Sequence, residues 1–485
     1  MSEGSPQYNF ALPGNPRYQP KDLVGIFGYD NLYVPTARVE LAGLDVMAEI
    51  GAIPASDFAL LTDEARKSVL AIRTTIVDEV ERRVTRHDIR ALVRLIQEIL
   101  PQPLRRWVHV PFTSYDPLDT GRILQFAQAH ADVLRPRIRE VTGILAVLAR
   151  KYAGTLQIGR THGQHALPIT VGFWLATILG RLLYNGQRMD EFAGGLVGKI
   201  SGAVGCNNAV EGLNIAKMCG GATFQDRVLT RLGLKPAPIS TQILPPEPLA
   251  YFLYSCLMAS AVFGQLGRDC RHLMRSEIAE VGEPFEAGQV GSSTMAQKRN
   301  PITFENLEGT WLRTKSEFGK VLDSLTSEHQ RDLVGSSLMR DFPIILVNLC
   351  VQLDALLRRK EKGAPAFLER LTVNEANCRR NFDMSAGVIL AEPMYIALQM
   401  AGYQGDAHEL INREVVPMSL QRSQPLIQTV LELASINGVL RAAVDNIPHE
   451  VIDLLSAPER YTGDAAAQAN KIADLAEVYC SAFTA

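Results

Sequence analysis

The stretch Leu134–Leu148, LRPRIREVTGILAVL, places Leu134, Ile138, Val141, Leu145 and Leu148 at alternating spacings of four and three. That interval keeps one apolar stripe turned toward a partner helix over several turns, which is the patterning of a bundle. Outward from it, Phe173–Met189 and Phe342–Leu357 have helical length and apolar density, and no β-rich runs alternate with them as a βαβ unit requires. The most apolar segment, Leu249–Phe263 (LAYFLYSCLMASAVF), falls short of the ~20 residues that a membrane-spanning helix needs and contains two serines, so it reads as a helix buried on all sides. The fold class expected is all-α with a central bundle of long helices, and no membrane partner.

Punctuation divides the rest. Leu100-Pro101-Gln102-Pro103 and Pro111 break the first helical region, and the polar link Lys360–Pro365 (KEKGAP) closes a long helical middle. Three segments follow: a helical N-terminal domain over 1–111, a central long-helix domain over 112–364 and a helical C-terminal domain over 365–485. A chain of 485 residues fits about three domains. Hydrophobic residues make up 47% and charged residues 21%, the balance of a globular protein. With 49 Lys+Arg against 52 Asp+Glu there is no basic footprint for nucleic acid and no polybasic membrane patch, so any phosphate must be held by a local pocket. The seven cysteines are scattered and never form a C-x-x-C pair, which argues against a disulfide framework and for a reducing cytoplasm. The N-terminal stretch MSEGSPQYNFALPGNP lacks the basic-then-apolar order of a secretion signal.

Polar clusters concentrate where helical packing would not ask for them. Gly291–Pro301 (GSSTMAQKRNP) is a glycine-flanked loop bearing hydroxyls, a cation and an amide; it can bring a serine over a substrate while backbone N–H groups and Lys298 stabilise a developing oxyanion, or it can be a simple turn. In Gly159–His165 (GRTHGQH), His162 and His165 have no acidic ligand at matching spacing, so no metal is expected; the segment reads either as a polar loop starting a helix or as the seat of an acid–base histidine. Arg86-His87-Asp88 fits a solvated helix face, and Trp107-Val108-His109 with Thr113-Ser114 fits packing followed by a helix cap. Gly198-Lys199 suggests a nucleotide triphosphate loop only superficially, because Ala193 and Ile200 stand where glycine and a hydroxyl are required. No G-x-G-x-x-G follows a strand, so no dinucleotide cofactor is expected.

Together and in order, these clusters resemble the fumarase/aspartase superfamily, whose signature loop falls at Gly291–Pro301, and within it the adenylosuccinate lyase branch. The resemblance runs from Arg17-Tyr18 through Arg86-His87-Asp88, Trp107-Val108-His109, Thr113-Ser114, Gly159–His165, Ser201–Gly205 and Thr241-Gln242 to Arg331-Asp332-Leu333, and faintly to Ala391-Glu392-Pro393. It implies a three-domain fold and a β-elimination that releases fumarate from adenylosuccinate to give AMP, and from SAICAR to give AICAR, in purine nucleotide biosynthesis, with no cofactor and no metal. Ser292 then matches the mobile general base, His162 the general acid, Glu305 the carboxylate pairing with that histidine, and Lys298 and Asn300 the carboxylate-holding pair. Thr113, Ser114 and Thr161 match further contacts to the succinyl portion. His109 and His87, the latter flanked by Arg86 and Asp88, match active-site histidines that orient the base and the phosphate.

For the nucleotide phosphate the resemblance implies Arg17, Tyr18, Arg331, Ser336 and Arg340, a set of arginines and hydroxyls suited to a phosphate monoester; Gln242 would meet the succinyl or base portion. It also implies a cytoplasmic homotetramer whose active sites are shared between chains. The chain departs from the pattern at Ala296, where proline is usual, at Pro111, where glycine is usual, and over Pro245-Pro246-Glu247-Pro248, where relatives carry an Arg-Asp-containing segment. Those departures leave two other readings: a paralogue cleaving another succinyl-amine, or a helical scaffold without chemistry. Intact Ser292, His162, Lys298 and Asn300 speak against the scaffold.

Overall fold

A computed structural model describes residues 18–285, 295 and 297–482. These are predominantly helical, as the apolar stripes predict, with three two-stranded sheets among the described residues. Packing divides the chain into two compact units, each assembled from three separate stretches. Met1–Arg139, Tyr184–Gly264 and Leu307–Ala355 form the first; Glu140–Leu183, Gln265–Asn306 and Leu356–Ala485 form the second.

In the first unit, helix α1 (Val34–Glu49) packs against α3 (Tyr115–Gln128), with α2 (Asp88–Ile99) between them in sequence. Their apolar faces, among them Leu44, Val46, Ile123 and Leu124, are buried. The long helices α4 (Arg135–Lys151), α5 (Val171–Gly194), α6 (Glu247–Leu273), α7 (Ile302–Glu317) and α8 (Pro343–Leu357) each contribute residues to both units. The stripe Leu134, Ile138, Val141, Leu145 and Leu148 is buried throughout, as its spacing requires. Within the first unit, buried Gln352 of α8 donates through Nε2 to Ser260 O of α6 at 3.3 Å and to Leu307 O of α7 at 2.8 Å, so one amide joins three helices.

Helix α6 corrects one expectation. It is not buried on all sides: Tyr251 is 55% and Tyr254 45% exposed, so one face is left uncovered among the described residues. It also extends to 27 residues, and by length and composition Glu247–Leu273, like Val334–Leu357, would be long and apolar enough to cross a membrane. Two-thirds of its most apolar window is packed inside the protein, and its last turns carry Arg268, Asp269 and Arg271, which fits a bundle helix.

The second unit holds the other correction. Gly159–His165 does not start a helix: strand β1 (Leu156–Thr161) pairs antiparallel with β2 (Gln164–Thr170), and His162-Gly163 is the two-residue turn between them. Both turn residues have positive φ, 54° and 77°, the requirement of a tight hairpin whose twist matches its strands. A second small sheet pairs Val281-Gly282 with Thr372-Val373. The C-terminal stretch builds its own apolar cluster around Met394, Leu398, Ile411, Val430 and Leu440. Helix α9 (Ala465–Ser481) then buries Ala469, Ala473 and Ala476.

Candidate active site

In the first unit the candidate residues gather around the start of α3. Asp116 is fully buried. Its Oδ2 accepts the Thr113 N–H at 2.8 Å, and its Oδ1 accepts the N–H groups of Ser201 at 3.0 Å and Gly202 at 3.2 Å and an N–H of Lys199 Nζ. One carboxylate thus fixes both the Thr113-Ser114 segment and the Ser201–Gly205 loop. Lys199 is itself wholly buried, so its ammonium is consumed by Asp116 and the superficial triphosphate loop is a structural ion pair. Ser114 stands at the helix-cap position without a capping bond from its side chain, and among the described residues neither Thr113 Oγ1 nor Ser114 Oγ has a partner. Both hydroxyls remain available to a ligand.

Between Ser114 and Asp116, the ring of buried Tyr115 supports the Arg331 guanidinium, whose Cζ lies 3.5 Å from the ring centroid. The Tyr115 hydroxyl is hydrogen-bonded to Ser336 Oγ, and Arg331 Nη1 donates to Gln242 Oε1 at 2.7 Å. Two residues matched to the nucleotide phosphate, Arg331 and Ser336, therefore meet in one cluster with Gln242, matched to the succinyl or base portion. Buried Arg331 Nε has no partner among the described residues, which leaves one donor of a flat guanidinium unspent. Asp119 and Pro245, Pro246 and Pro248 wall the adjacent cavity together with Tyr115 and Ser336. Asp119 is buried, accepts the Leu244 N–H at 3.2 Å and sits 3.5 Å from Arg122 Nη1; burial pushes its carboxyl above the ordinary value despite the pull of Arg122.

The other first-unit residues lie at local chain reversals. Arg86, at φ 54°, follows a π-helical turn, and His87 is the N-cap of α2, its Nδ1 3.5 Å from Arg90 N and 3.2 Å from Asp88 Oδ1. The segment is a helix start, with Arg86 and His87 exposed to solvent. His109 has φ 71° and places Nδ1 2.7 Å from Glu40 Oε1. Tyr18 and Arg340 are exposed, and Arg17 lies outside the described residues.

In the second unit His162 stands exposed at the tip of the β1–β2 turn with Thr161 exposed beside it. The hairpin is held at its base by fully buried Glu280, which accepts from Arg160 Nη2 at 2.6 Å, Gln157 Nε2 at 2.8 Å and Asn381 Nδ2 at 2.9 Å. His165 Nδ1 is 2.7 Å from Ser385 Oγ; burial and the Arg160 guanidinium hold its imidazole below the ordinary value. Glu305 projects from the first turn of α7 and is exposed, as is Lys298, while Asn300 is half-buried. Among the described residues no ion pair joins Glu305 to His162 within one chain. Ser292 lies outside the described residues, as does Ala296.

Sequence reasoning missed Glu40, Tyr115, Asp116 and Glu280. Each acts through neighbours distant in the chain, and none stands in a cluster that its own surroundings mark as unusual. The one early signal was local: Tyr115 and Asp116 directly follow Thr113-Ser114.

Residues 42–314 match the family model described as lyase. The adenylosuccinate lyase of Pyrococcus horikoshii is 31% identical over 468 residues, covering 95% of this chain and 97% of that protein. The adenylosuccinate lyase of Archaeoglobus fulgidus is 32% identical over 461 residues, covering 94% and 96%. Among solved structures, the 3-carboxy-cis,cis-muconate lactonizing enzyme of Pseudomonas putida superposes with a TM-score of 0.75 at 24% identity over 96% of this chain and 98% of that one. The fumarate lyase of a Mesorhizobium species superposes with a TM-score of 0.76 at 22% identity over 94% and 98%. These structures share the fold.

Proposed function

The chain belongs to the lyase family, and from that premise we propose that it is a carbon–nitrogen lyase cleaving adenylosuccinate to AMP and fumarate, with SAICAR as its second substrate. The observation that carries the substrate is the cluster of Gln242, Arg331 and Ser336 on Tyr115, a hydroxyl and a half-buried guanidinium with a spare donor, which is the chemistry that receives a phosphate monoester. The nearly full-length relatives bearing the adenylosuccinate lyase name point the same way.

In this reading Ser292 removes the proton from the carbon beside a carboxylate, and the carbon–nitrogen bond breaks as its electrons pass to nitrogen. His162 returns a proton to the departing nitrogen so that it does not leave as an anion. Lys298 and Asn300, with Thr113, Ser114 and Thr161, hold the succinyl carboxylates and spread the charge that builds on them. Exposed His162 and exposed Glu305, not paired with each other among the described residues, are completed by other copies: the protein works as a homotetramer with active sites shared between chains. The uncovered face of α6, with Tyr251 and Tyr254, is the surface offered to that assembly. Free cysteines throughout fit a cytoplasmic enzyme.

The test is purified protein mixed with adenylosuccinate, followed by absorbance and by chromatography for fumarate. Turnover is expected, and Ser292→Ala is expected to lower kcat by about a thousandfold. A folded tetramer inert toward adenylosuccinate overturns the substrate. The reading then favoured is another succinyl-amine, because Pro245, Pro246 and Pro248 wall the cavity beside the cluster in place of the segment that relatives of the branch carry there.

A further inference from the structure

Glu40 is a carboxylate where an aliphatic side chain would pack. On α1 its same-face neighbours Thr36, Ala37, Gly43 and Leu44 are all buried, and the Glu40 side chain has no exposed surface. Oε1 lies 2.7 Å from His109 Nδ1, while Oε2 is buried without a partner among the described residues. Burying a carboxylate with one oxygen unsatisfied costs stability, so packing alone gives no reason for an acid here. A second cost falls on the other partner: His109 holds a left-handed backbone at φ 71°, which a side chain with a Cβ rarely adopts, yet its ring keeps 14% exposure and packs edge-on against Phe112. Two unfavourable features thus converge on one imidazole, whose Nδ1 is claimed and whose ring still reaches solvent.

We infer that Glu40 is a positioning residue that fixes His109 as its Nδ1–H tautomer and thereby makes Nε2, a lone pair, the atom that His109 offers to the substrate. A carboxylate accepts, so the shared proton sits on Nδ1, and a ring whose single proton is on Nδ1 accepts at Nε2. His109 then receives a hydrogen bond or a proton from a substrate N–H or O–H; it is not a neutral donor to the phosphate or to the succinyl carboxylates. This narrows the role of His109 and rests on the lyase reading only for the substrate that it meets.

The tautomer is measured without substrate, by solid-state ¹⁵N NMR of histidine-labelled full-length protein, with His109→Gln identifying the signal. Wild type is expected to show the Nδ1–H form, and Glu40→Leu to lose it. Glu40→Gln keeps an acceptor oxygen at the same reach, so it is expected to retain the tautomer and rescue activity. In kinetics with adenylosuccinate, Glu40→Leu is expected to lower kcat at least about tenfold with KM within about threefold, and Glu40→Gln to stay within about threefold of wild type on both. An Nε2–H form in wild type overturns the inference, as does an unchanged kcat in folded Glu40→Leu or a failure of Glu40→Gln to hold the tautomer. Should Glu40→Leu not fold, the wild-type and Glu40→Gln spectra still decide it. Wild type inert on adenylosuccinate fails the proposed substrate instead, and the spectra continue to judge Glu40.

Discussion

Among the described residues eight non-glycine residues have positive φ, and three of them, Arg86, His109 and His162, are candidate site residues. Side chains with a Cβ hold that conformation only where surroundings over-determine it, and such positions gather at functional sites. At this scale the polar residues matched from sequence are recoverable, because histidine, hydroxyl and cation clusters stand out locally. Their supports are not: Glu40 and Asp116 differ from ordinary helix residues only once folding shows that they are buried. Asp119 gives a prediction with a definite sign. Its carboxyl is raised by burial, so the folded state keeps the proton that the unfolded chain has already released, and stability falls as pH rises from the ordinary carboxylate value through the raised one. Asp119→Asn keeps the acceptor for the Leu244 N–H and removes that loss; in thermal unfolding it should gain Tm relative to wild type at pH 8 and lose that advantage at pH 4. Equal differences at the two pH values would contradict it.

At the level of elements, the β1–β2 hairpin decides where His162 stands, and two contacts decide whether the hairpin stands at all. Glu280→Gln removes the charge opposite Arg160 in a buried setting, and breaking such a pair from one side should cost about 3–5 kcal/mol in denaturant unfolding. Where α4 meets α5, a Cβ on Gly172 would lie 2.4 Å from Ala149 O and 2.5 Å from Ala153 N, backbone atoms that cannot move aside. Gly172→Ala should therefore destabilise by about 1–3 kcal/mol on the same measurement. His165 adds a pH term of opposite sign to Asp119. With its folded value lowered, the unfolded chain takes up a proton first as pH falls below about 6.5, and stability is lost from there downward. His165→Gln should flatten that loss between pH 7 and 5 in thermal scans. Helices were legible because period 3.6 is written along the chain. The hairpin was less so, since its turn is His162-Gly163 and not one of the asparagine–glycine or aspartate–glycine pairs that announce such turns.

For the whole molecule, the proposal of shared sites predicts complementation. Mixed under conditions that exchange subunits, Ser292→Ala and His162→Gln, each inactive alone, should regain adenylosuccinate turnover, whereas sites complete within one chain would leave the mixture inert. Tyr254→Asp, on the uncovered face of α6, should shift sedimentation of a folded protein toward smaller species. What the sequence by itself determined is the all-α class, the long-helix stripes and the lyase resemblance, because helical periodicity and short spaced motifs are local properties of a chain. The two compact units, each drawn from three separated stretches, were decided by tertiary structure alone, since no local signal says which distant helix covers a given stripe. The same holds for the site's supports: Tyr115 meets Ser336 across 221 residues, Lys199 meets Asp116 across 83, and Glu40 meets His109 across 69. A buried charge and its partner must be paired in space, and only the folded chain brings such residues within reach of one hydrogen bond.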